Sequence, residues 1–383
     1  MDSARATGAS LALALGASQA AVLALTPVLA DVAQDLGVST AAAGQLRTIS
    51  GFAAGLTAVC VGLAASRVGL RELVGAGLGL LALGSALSAA ATSFGVLAGG
   101  QLLIGVGVGL SYTAAIAAVA EWSAPHERSR VLAVALLGPP GAWVVGMPVC
   151  GLVGEVSWRL VWIVLPLAGA LAALAVLLRR PSTPPARARA SLRTVLAQPG
   201  VLRWSSGELL AFSAWAGSLV FVGALFVESY GLSVAATGLV LGAGALVYVP
   251  GNLVFRRLVD DHVRVLLVAL PLAAAVTVAV LGSVRPSAWV SLAVFSCLSF
   301  LAGGRTLAGS ARGLDLAPEL RLGVTGVRTA ALQGGYFVGA AVGGAALAAG
   351  GYPALGLTLG ALFAAASIPH LLSRPESPQG LLP

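Results

Sequence analysis

The chain has 383 residues, of which 58% are hydrophobic and only 9% are charged, and its mean hydropathy is +0.96. A soluble protein carries about a quarter of its residues as charged side chains, so this composition excludes a water-soluble globule. The net charge is +8, but the arginines are spread over short loops, which excludes nucleic acid as a partner. The expected partner of this surface is the lipid bilayer.

Twelve apolar segments are long enough to cross a membrane as helices, for which about 20 residues are needed. The first segment is interpreted as a span rather than a cleaved leader, because it lacks a convincing cleavage boundary. The segments are residues 8–30, 43–66, 72–92, 94–120, 130–154, 157–178, 205–228, 236–256, 263–284, 287–311, 323–349 and 352–373. The sequence therefore predicts an all-α membrane protein with twelve transmembrane helices.

The arginines of the loops predict the orientation, because basic residues are retained on the cytoplasmic side. Arg159 and Arg285 are the main arginines of one side. The other side carries Arg67, Arg71, Arg128, Arg130, Arg179, Arg180, Arg187, Arg189, Arg193, Arg203, Arg256, Arg257, Arg264, Arg312 and Arg321. We therefore expect a multi-pass protein of the cell inner (plasma) membrane with both termini in the cytoplasm.

The chain also shows signs of an internal duplication. An offset of 193 residues carries Gly146 onto Gly339 and Gly151 onto Gly344, and the segment from Gly37 resembles the segment from Gly231. These landmarks predict an N-terminal six-helix bundle over 1–180, a cytoplasmic linker over 181–204 and a C-terminal six-helix bundle over 205–383. Transporters are commonly built from such repeats, with the substrate path at their interface.

Several short motifs stand in an order that resembles one known family. They are Thr26-Pro27-Val28-Leu29, Gly62 to Arg71, Gly105-Val106-Gly107-Val108-Gly109, Pro125 to Arg128, Gly146 to Gly151 with Trp158-Arg159, and Gly251 to Arg264. The whole pattern is similar to the major facilitator superfamily, in its twelve-helix drug:proton antiporter, arabinose-efflux-like branch. Ser66 stands in place of the family's loop acid and Gln101 in place of its helix 4 arginine. The resemblance implies two pseudo-symmetric bundles and proton-coupled efflux.

Polar and aromatic residues within the spans are candidates for a substrate site, since ionisable groups inside a membrane are costly. An interior arginine can clamp an anion through two hydrogen bonds, and the alternative is that it extends to the nearer interface. The glutamines are expected to face the interior, and the aromatic residues either line a cavity or pack. The candidates are Gln19, Arg47, Gln101, Tyr112, Trp143, Trp215, Arg305, Gln333 and Tyr336, with Arg328 as a further interior arginine.

A second group of residues is predicted to act in gating and coupling. Pro and Gly allow helix 5 to bend and slide, and the loops after helices 2 and 8 resemble a charge latch in which Asp260 carries the ion pair. The gating candidates are Ser66, Arg67, Arg71, Gly146, Pro148, Gly151, Asp260 and Arg264. Asp31 is the candidate proton carrier, while Glu208 is expected to flank helix 7 and His370 to be solvated.

The sequence contains no paired motif that predicts catalysis or metal binding, because the three cysteines are isolated in apolar spans and no midplane acid is expected. We therefore expect a monomeric transporter of a small molecule, without cofactor or metal, that uses protons to drive efflux. An uptake permease for a small organic anion is the main alternative, and a non-transporting membrane sensor is the other.

Overall fold

The computed structural model describes residues 2–64, 68–124, 126–179, 192–316 and 320–372. Throughout these residues the secondary structure is helical, with no strand. The helices are α1 (Arg5–Asp35), α2 (Thr40–Ala64), α3 (Leu70–Ala89), α4 (Phe94–Glu121), α5 (Arg130–Gly154), α6 (Trp158–Leu178), α7 (Val201–Tyr230), α8 (Val234–Val259), α9 (Asp261–Ser283), α10 (Ala288–Leu316), and α11 and α12, which share Arg321–Leu371. A short helix, Leu192–Leu196, precedes α7.

The predicted number of spans is confirmed within these residues. Ten stretches are long and apolar enough to cross a membrane, and the last of them, Gly326–Leu371, contains two helices. Non-helical backbone at Gly350 and Gly351, where Gly351 adopts a φ of 65°, separates α11 from α12. The twelfth helix is α2, which has 25 residues but carries polar groups such as Gln45 and Arg47. We call α1–α6 the first helix set and α7–α12 the second.

Prolines determine where several of the helices are interrupted. A proline cannot donate to the carbonyl four residues earlier, and its ring clashes with that carbonyl. In α5 the helical segments end at Ala135 and Val144, which are four residues before Pro139 and Pro148. The same spacing relates the end of the first segment of α8, at Leu246, to Pro250. The irregular helices α5 and α8 are therefore encoded directly in the sequence.

In each helix set, one arginine connects the start of one helix to the end of another, and the two arginines occupy equivalent positions. Arg71, at the start of α3, donates to the carbonyl oxygens of Leu177 (3.4 Å) and Leu178 (3.0 Å) at the end of α6. Arg264, near the start of α9, donates to those of His370 (3.3 Å) and Leu371 (3.5 Å) at the end of α12. Donor and acceptor positions are all related by 193 residues, the offset found in the sequence. A cation is favourable at a helix C-terminus, where carbonyl groups lack partners.

The two helix sets approach each other closely through glycines. A Cβ atom on Gly151 of α5 would lie 2.7 Å from the Cα of Gly238 of α8, and one on Gly242 would lie 2.5 Å from Cγ of Pro148. A Cβ atom on Gly51 of α2 would lie 2.5 Å from a backbone nitrogen of α11. Small residues permit such contact between helix backbones. Because the number of crossings is even, residues 5 and 371 lie on one side of the bundle, the terminal side, and loop 36–39 lies on the opposite side.

Candidate functional site

Three predicted site residues meet where the two helix sets join. Tyr336 of α11 is 2% exposed, and its hydroxyl accepts a hydrogen bond from Nε2 of Gln19 on α1 at 3.2 Å. The guanidinium carbon of Arg47 on α2 lies 4.9 Å from the centre of the Tyr336 ring, in a cation–π contact. We call Gln19, Arg47 and Tyr336 the Tyr336 cluster. It links both helix sets through buried polar groups.

Four aromatic side chains form a second cluster between the sets. The ring centre of Trp143 on α5 lies 6.0 Å from that of Trp215 on α7 and 5.1 Å from that of Tyr248 on α8. Phe295 of α10 stacks on Trp215 with a separation of 6.4 Å. The indole nitrogens of Trp143 and Trp215 are buried and have no hydrogen-bond partner. This indole cluster presents aromatic faces together with two unused donors, as a small-molecule site does.

A carboxylate that the sequence did not predict as a site residue lies buried within the second helix set. Glu208 of α7 is fully buried, and its Oε1 is paired with Arg305 of α10. Its Oε2 accepts from Nε of Arg328 on α11 at 2.9 Å. Arg305 and Arg328 also donate to the carbonyl oxygens of Gly207 (3.0 Å) and Thr306 (2.9 Å). This Glu208 cluster joins α7, α10 and α11 and carries a formal net charge of one positive unit.

The expectation that Glu208 flanks α7 is therefore wrong. The helix begins at Val201 rather than at residue 205, which places Glu208 about 10 Å from the helix start at a rise of about 1.5 Å per residue. His370, expected to be solvated, is also buried, at 6% exposed. The sequence did contain a signal for the burial of Glu208. Gly207 and Glu208 lie within two turns of the start of an uninterrupted apolar helix, and the interior arginines of the neighbouring helices need a counter-ion.

The remaining candidates for the substrate site are placed less centrally or without a defined partner. Gln101 of α4 is fully buried and donates to Ser88 Oγ of α3 at 3.2 Å, so its amide faces a neighbour within the first set. Tyr112 of α4 and Gln333 of α11 are buried, at 8% and 2% exposed. Tyr112 is close enough to Tyr248, Tyr336 and Arg328 for electrostatic interaction. Tyr112 therefore lies between the clusters, whereas Gln101 lies away from them.

The predicted gating residues of α5 lie at the contact between the sets. Pro148 and Gly151 pack against Gly242 and Gly238 of α8, whereas Gly146 faces Leu165 within the first set. Near the loops, Arg71 and Arg264 donate to carbonyl oxygens at the C-terminal ends of α6 and α12. Ser66, Arg67 and the side chain of Asp260 lie outside the described residues. The α5–α8 contact is thus the described part of the predicted gate.

Carboxylates connect the helix sets on the opposite side. Glu155, at the end of α5, accepts from the backbone nitrogen of Ala235 in the first turn of α8 at 2.8 Å. Glu228, near the end of α7, accepts from Thr40 of α2 and from the Tyr352 hydroxyl of α12 at 2.9 Å. Asp31 of α1 is half-buried and close enough to Glu155 for electrostatic interaction. The candidate proton carrier therefore lies beside a contact that joins the sets.

Within the first set, the same side holds a tight ion pair. Asp35 Oδ2 lies 3.0 Å from Nη2 of Arg159 and accepts from the indole nitrogen of Trp158 at 3.0 Å.

The described residues contain no group of three or more His, Cys, Asp or Glu side chains that could hold a metal ion. The polar groups of the bundle thus lie at helix contacts and between the helix sets.

Twelve membrane-crossing helices in two sets, with buried polar and aromatic clusters between the sets, define a helical membrane transporter. The family model for the Major Facilitator Superfamily matches residues 11–308. The chain belongs to this superfamily. The family resemblance read from the sequence, the fold class and the conclusion that the protein is a transporter rather than an enzyme are thereby confirmed.

Curated relatives and solved structures agree with this assignment. A Shigella sonnei (strain Ss046) protein named purine ribonucleoside efflux pump NepI is 26% identical over 260 residues, which are 66% of this chain and 65% of that protein. Its namesake from Escherichia coli (strain K12) is 25% identical over the same shares. The chain thus matches less than two thirds of the length of these relatives. The crystal structure of a D-xylose-proton symporter superposes with a TM-score of 0.77 at 16% identity, over 97% of this chain and 98% of that one.

Proposed function

We propose that the protein is a secondary active transporter that exports a small organic solute in exchange for protons by alternating access. The observation that carries this proposal is the Tyr336 cluster, in which Gln19 and Arg47 of the first helix set meet Tyr336 of the second. A solute bound among groups from both sets can be exposed to either side as the sets rock about it. The efflux named for the curated relatives supports export as the direction.

We propose that the two helix sets are the moving bodies and that the chain acts as a monomer in the cell inner membrane. The arginine distribution of the loops places the terminal side in the cytoplasm under the positive-inside rule. A fusion of alkaline phosphatase to the C-terminal end should then remain inactive. An active reporter would contradict this orientation and place the C-terminal end on the other side of the membrane.

We propose that Asp31 takes part in proton coupling. It lies near Glu155, whose carboxylate accepts from the N-terminal turn of α8 in the other set. A negative charge is favourable at a helix N-terminus, so neutralising Glu155 weakens this contact between the sets. Asp31 and Glu155 repel each other when both are charged, and a proton bound by Asp31 removes that repulsion. Proton binding on this side would in this way be linked to the opening of the α5–α8 contact.

The alternative that a specific observation favours is uptake of a small organic anion. Arg47 is buried without a paired carboxylate among the described residues, and an anion would satisfy it. Direction does not follow from the fold, because the same architecture supports both. The two functions differ in the gradient that drives net flux.

Counterflow in proteoliposomes tests the proposal. The purified chain is reconstituted in vesicles loaded with unlabelled inosine, and entry of labelled inosine is measured, followed by a panel of aromatic acids and other small metabolites. Inosine is first because it is a purine ribonucleoside, the class in the relatives' name. We expect the protein to exchange labelled for unlabelled solute with at least one member of the panel. We also expect an imposed proton gradient to drive net movement of that solute against its own concentration gradient. If vesicles containing the protein behave as protein-free vesicles for the whole panel, the proposal fails.

A further inference from the structure

Arg47 is a buried cation without a counter-ion in the part of the chain that the structure describes. Its side chain is 2% exposed and lies seven residues into α2, about 10 Å from the helix start. Nη1 donates to Ser50 Oγ at 2.9 Å, and the guanidinium covers the ring of Tyr336. Nε is buried and has no hydrogen-bond partner. A guanidinium has five N–H donors, so most of its capacity is unused.

Leaving a charge in this condition is costly. Burying an unpaired charge disfavours the folded state by several kcal/mol, and proteins normally supply a carboxylate. The second helix set does supply one, because Glu208 binds both Arg305 and Arg328. A hydroxyl and an aromatic face compensate only part of the charge of Arg47. The arrangement therefore indicates a ligand that completes the site.

The surroundings of Arg47 define the shape of that ligand. Gln19 and Tyr336 place an amide and a hydroxyl beside the guanidinium. The indole cluster also lies between the two helix sets, and its two indole N–H groups have no partner. An anionic group at one end and a planar ring with acceptor atoms at the other match these features.

We propose that Arg47 anchors the negatively charged head, a carboxylate or a phosphate, of a small aromatic organic anion whose ring packs toward the indole cluster. The assignment rests on the proposed transport function and specifies its substrate class. The bound anion contacts Arg47 and Gln19 of the first set, Tyr336 of the second, and the indole cluster, which has members in both sets. Its binding therefore requires both sets to be correctly placed.

Ligand-dependent thermal unfolding of the purified full-length protein in detergent tests the proposal. Benzoate and phenyl phosphate are the anionic probes, and benzamide is a neutral ring of the same size as benzoate. A ligand that binds only the folded state raises the Tm with its concentration, which yields an apparent affinity. We expect a rise with at least one anion and a much smaller one with benzamide. A larger rise with benzoate identifies a carboxylate head, and a larger rise with phenyl phosphate identifies a phosphate head.

Arg47→Gln should weaken the binding of the anion by about 10- to 100-fold, the loss expected for a charge-assisted hydrogen-bonded contact. Arg285→Gln is the matched control, because Arg285 is a loop arginine that also stacks on a tyrosine, with 5.1 Å to the Tyr352 ring. The Arg285→Gln variant should bind the anion with the same affinity as the unaltered protein. Arg47→Lys keeps the charge without the planar fork and should give an intermediate loss, which preserves the test if Arg47→Gln does not fold.

The proposal is overturned if neither anion raises the Tm of the unaltered protein, if benzamide acts as strongly as the anions, or if the Arg47 variants bind as well as Arg285→Gln. The counterflow assay separates this failure from that of transport. Exchange of a neutral solute without anion binding removes the inference and leaves the transport function. Anion binding that depends on Arg47, without exchange of any solute, removes the transport function and leaves the anion site.

Discussion

The two helix sets are alike at their periphery and unlike at their centre. Arg71 and Arg264 bind the last carbonyls of α6 and α12 with the same geometry. The 193-residue offset carries Glu208, Arg305 and Arg328 onto Leu15, Tyr112 and Ala135 of the first set, so the Glu208 cluster has no counterpart there. Conversely, the buried arginine of the first set, Arg47, has no carboxylate beside it among the described residues.

We propose that this difference separates charges that stabilise the fold from a charge that binds the solute. In the second set, both oxygens of one carboxylate are used by two arginines, and the three side chains hold three helices together. We call this cluster locked, since removing its carboxylate leaves two arginines without a counter-ion. In the first set, the free binding capacity of Arg47 remains open to a solute. Four experiments test this comparison.

The largest effect is expected for Glu208→Gln. The substitution leaves the buried Arg305 and the partly buried Arg328 without their carboxylate, which should lower the free energy of unfolding by about 3–5 kcal/mol. Chemical unfolding in detergent measures the change. Glu72→Gln is the control, because Glu72 is half-exposed and lies 3.7 Å from Arg71, and its loss should be below about 1 kcal/mol. Equal effects of the two substitutions would contradict the locked arrangement.

Arg47→Met should act in the opposite direction. Methionine replaces an unpaired buried cation by an apolar side chain of similar length, and we expect the ligand-free protein to gain about 1–4 kcal/mol while it loses transport. The same unfolding experiment, together with counterflow, measures both quantities. A loss of stability similar to that of Glu208→Gln would show that Arg47 also has a structural role.

Ser50→Asp converts the open arginine into a paired one. Ser50 Oγ already accepts from Nη1 of Arg47 at 2.9 Å, so an aspartate there can bind the guanidinium directly. We expect a gain of about 1–2 kcal/mol in the ligand-free protein and a loss of anion binding, because the internal carboxylate competes with the ligand. Ser50→Asn, which cannot neutralise the charge, serves as the control in the Tm assay. Unchanged anion binding in Ser50→Asp would contradict the proposal that the unused donors of Arg47 bind the anion.

The smallest effect is expected where the two sets agree. Arg71→Gln and Arg264→Gln each remove hydrogen bonds from a partly exposed arginine to two carbonyls, and should each cost about 1 kcal/mol or less. The two substitutions should lower the free energy of unfolding by the same amount, which is measured by unfolding both variants under identical conditions. A large difference would mean that the two contacts have the same geometry but contribute different energies.

The sequence predicts the fold well because a span is a local property. A window of about 20 apolar residues defines a helix whatever it packs against, and in the described residues ten stretches, the last of which contains α11 and α12, are long and apolar enough to cross a membrane. Helix ends are less local, and an error of four residues at the start of α7 was enough to place Glu208 at the flank of the helix rather than in its interior. Its burial depends on Arg305 and Arg328, which are 97 and 120 residues away.

The site is predicted only in part for the same reason. Polar and aromatic residues within spans are visible in the sequence, which is why Gln19, Arg47, Trp143 and Tyr336 are candidates. Which of them meet is decided by tertiary packing, and the bond from Gln19 to Tyr336 joins residues 317 positions apart. Gln101 illustrates the limit, since the same residue type in a neighbouring helix turns to Ser88 instead. A single sequence contains no signal for that choice.

The contact of α5 with α8 has a consequence for the temperature dependence of conformational exchange. Gly151, Gly238 and Gly242 bring the two backbones into close contact, with Pro148 packed against Gly242. Glycine and proline have no side-chain rotamers to lose, so separating these surfaces frees almost no side-chain entropy and closing them confines almost none. The closed and separated states of this contact should therefore differ mainly in enthalpy, and cooling the membrane should shift their equilibrium toward the state of lower enthalpy.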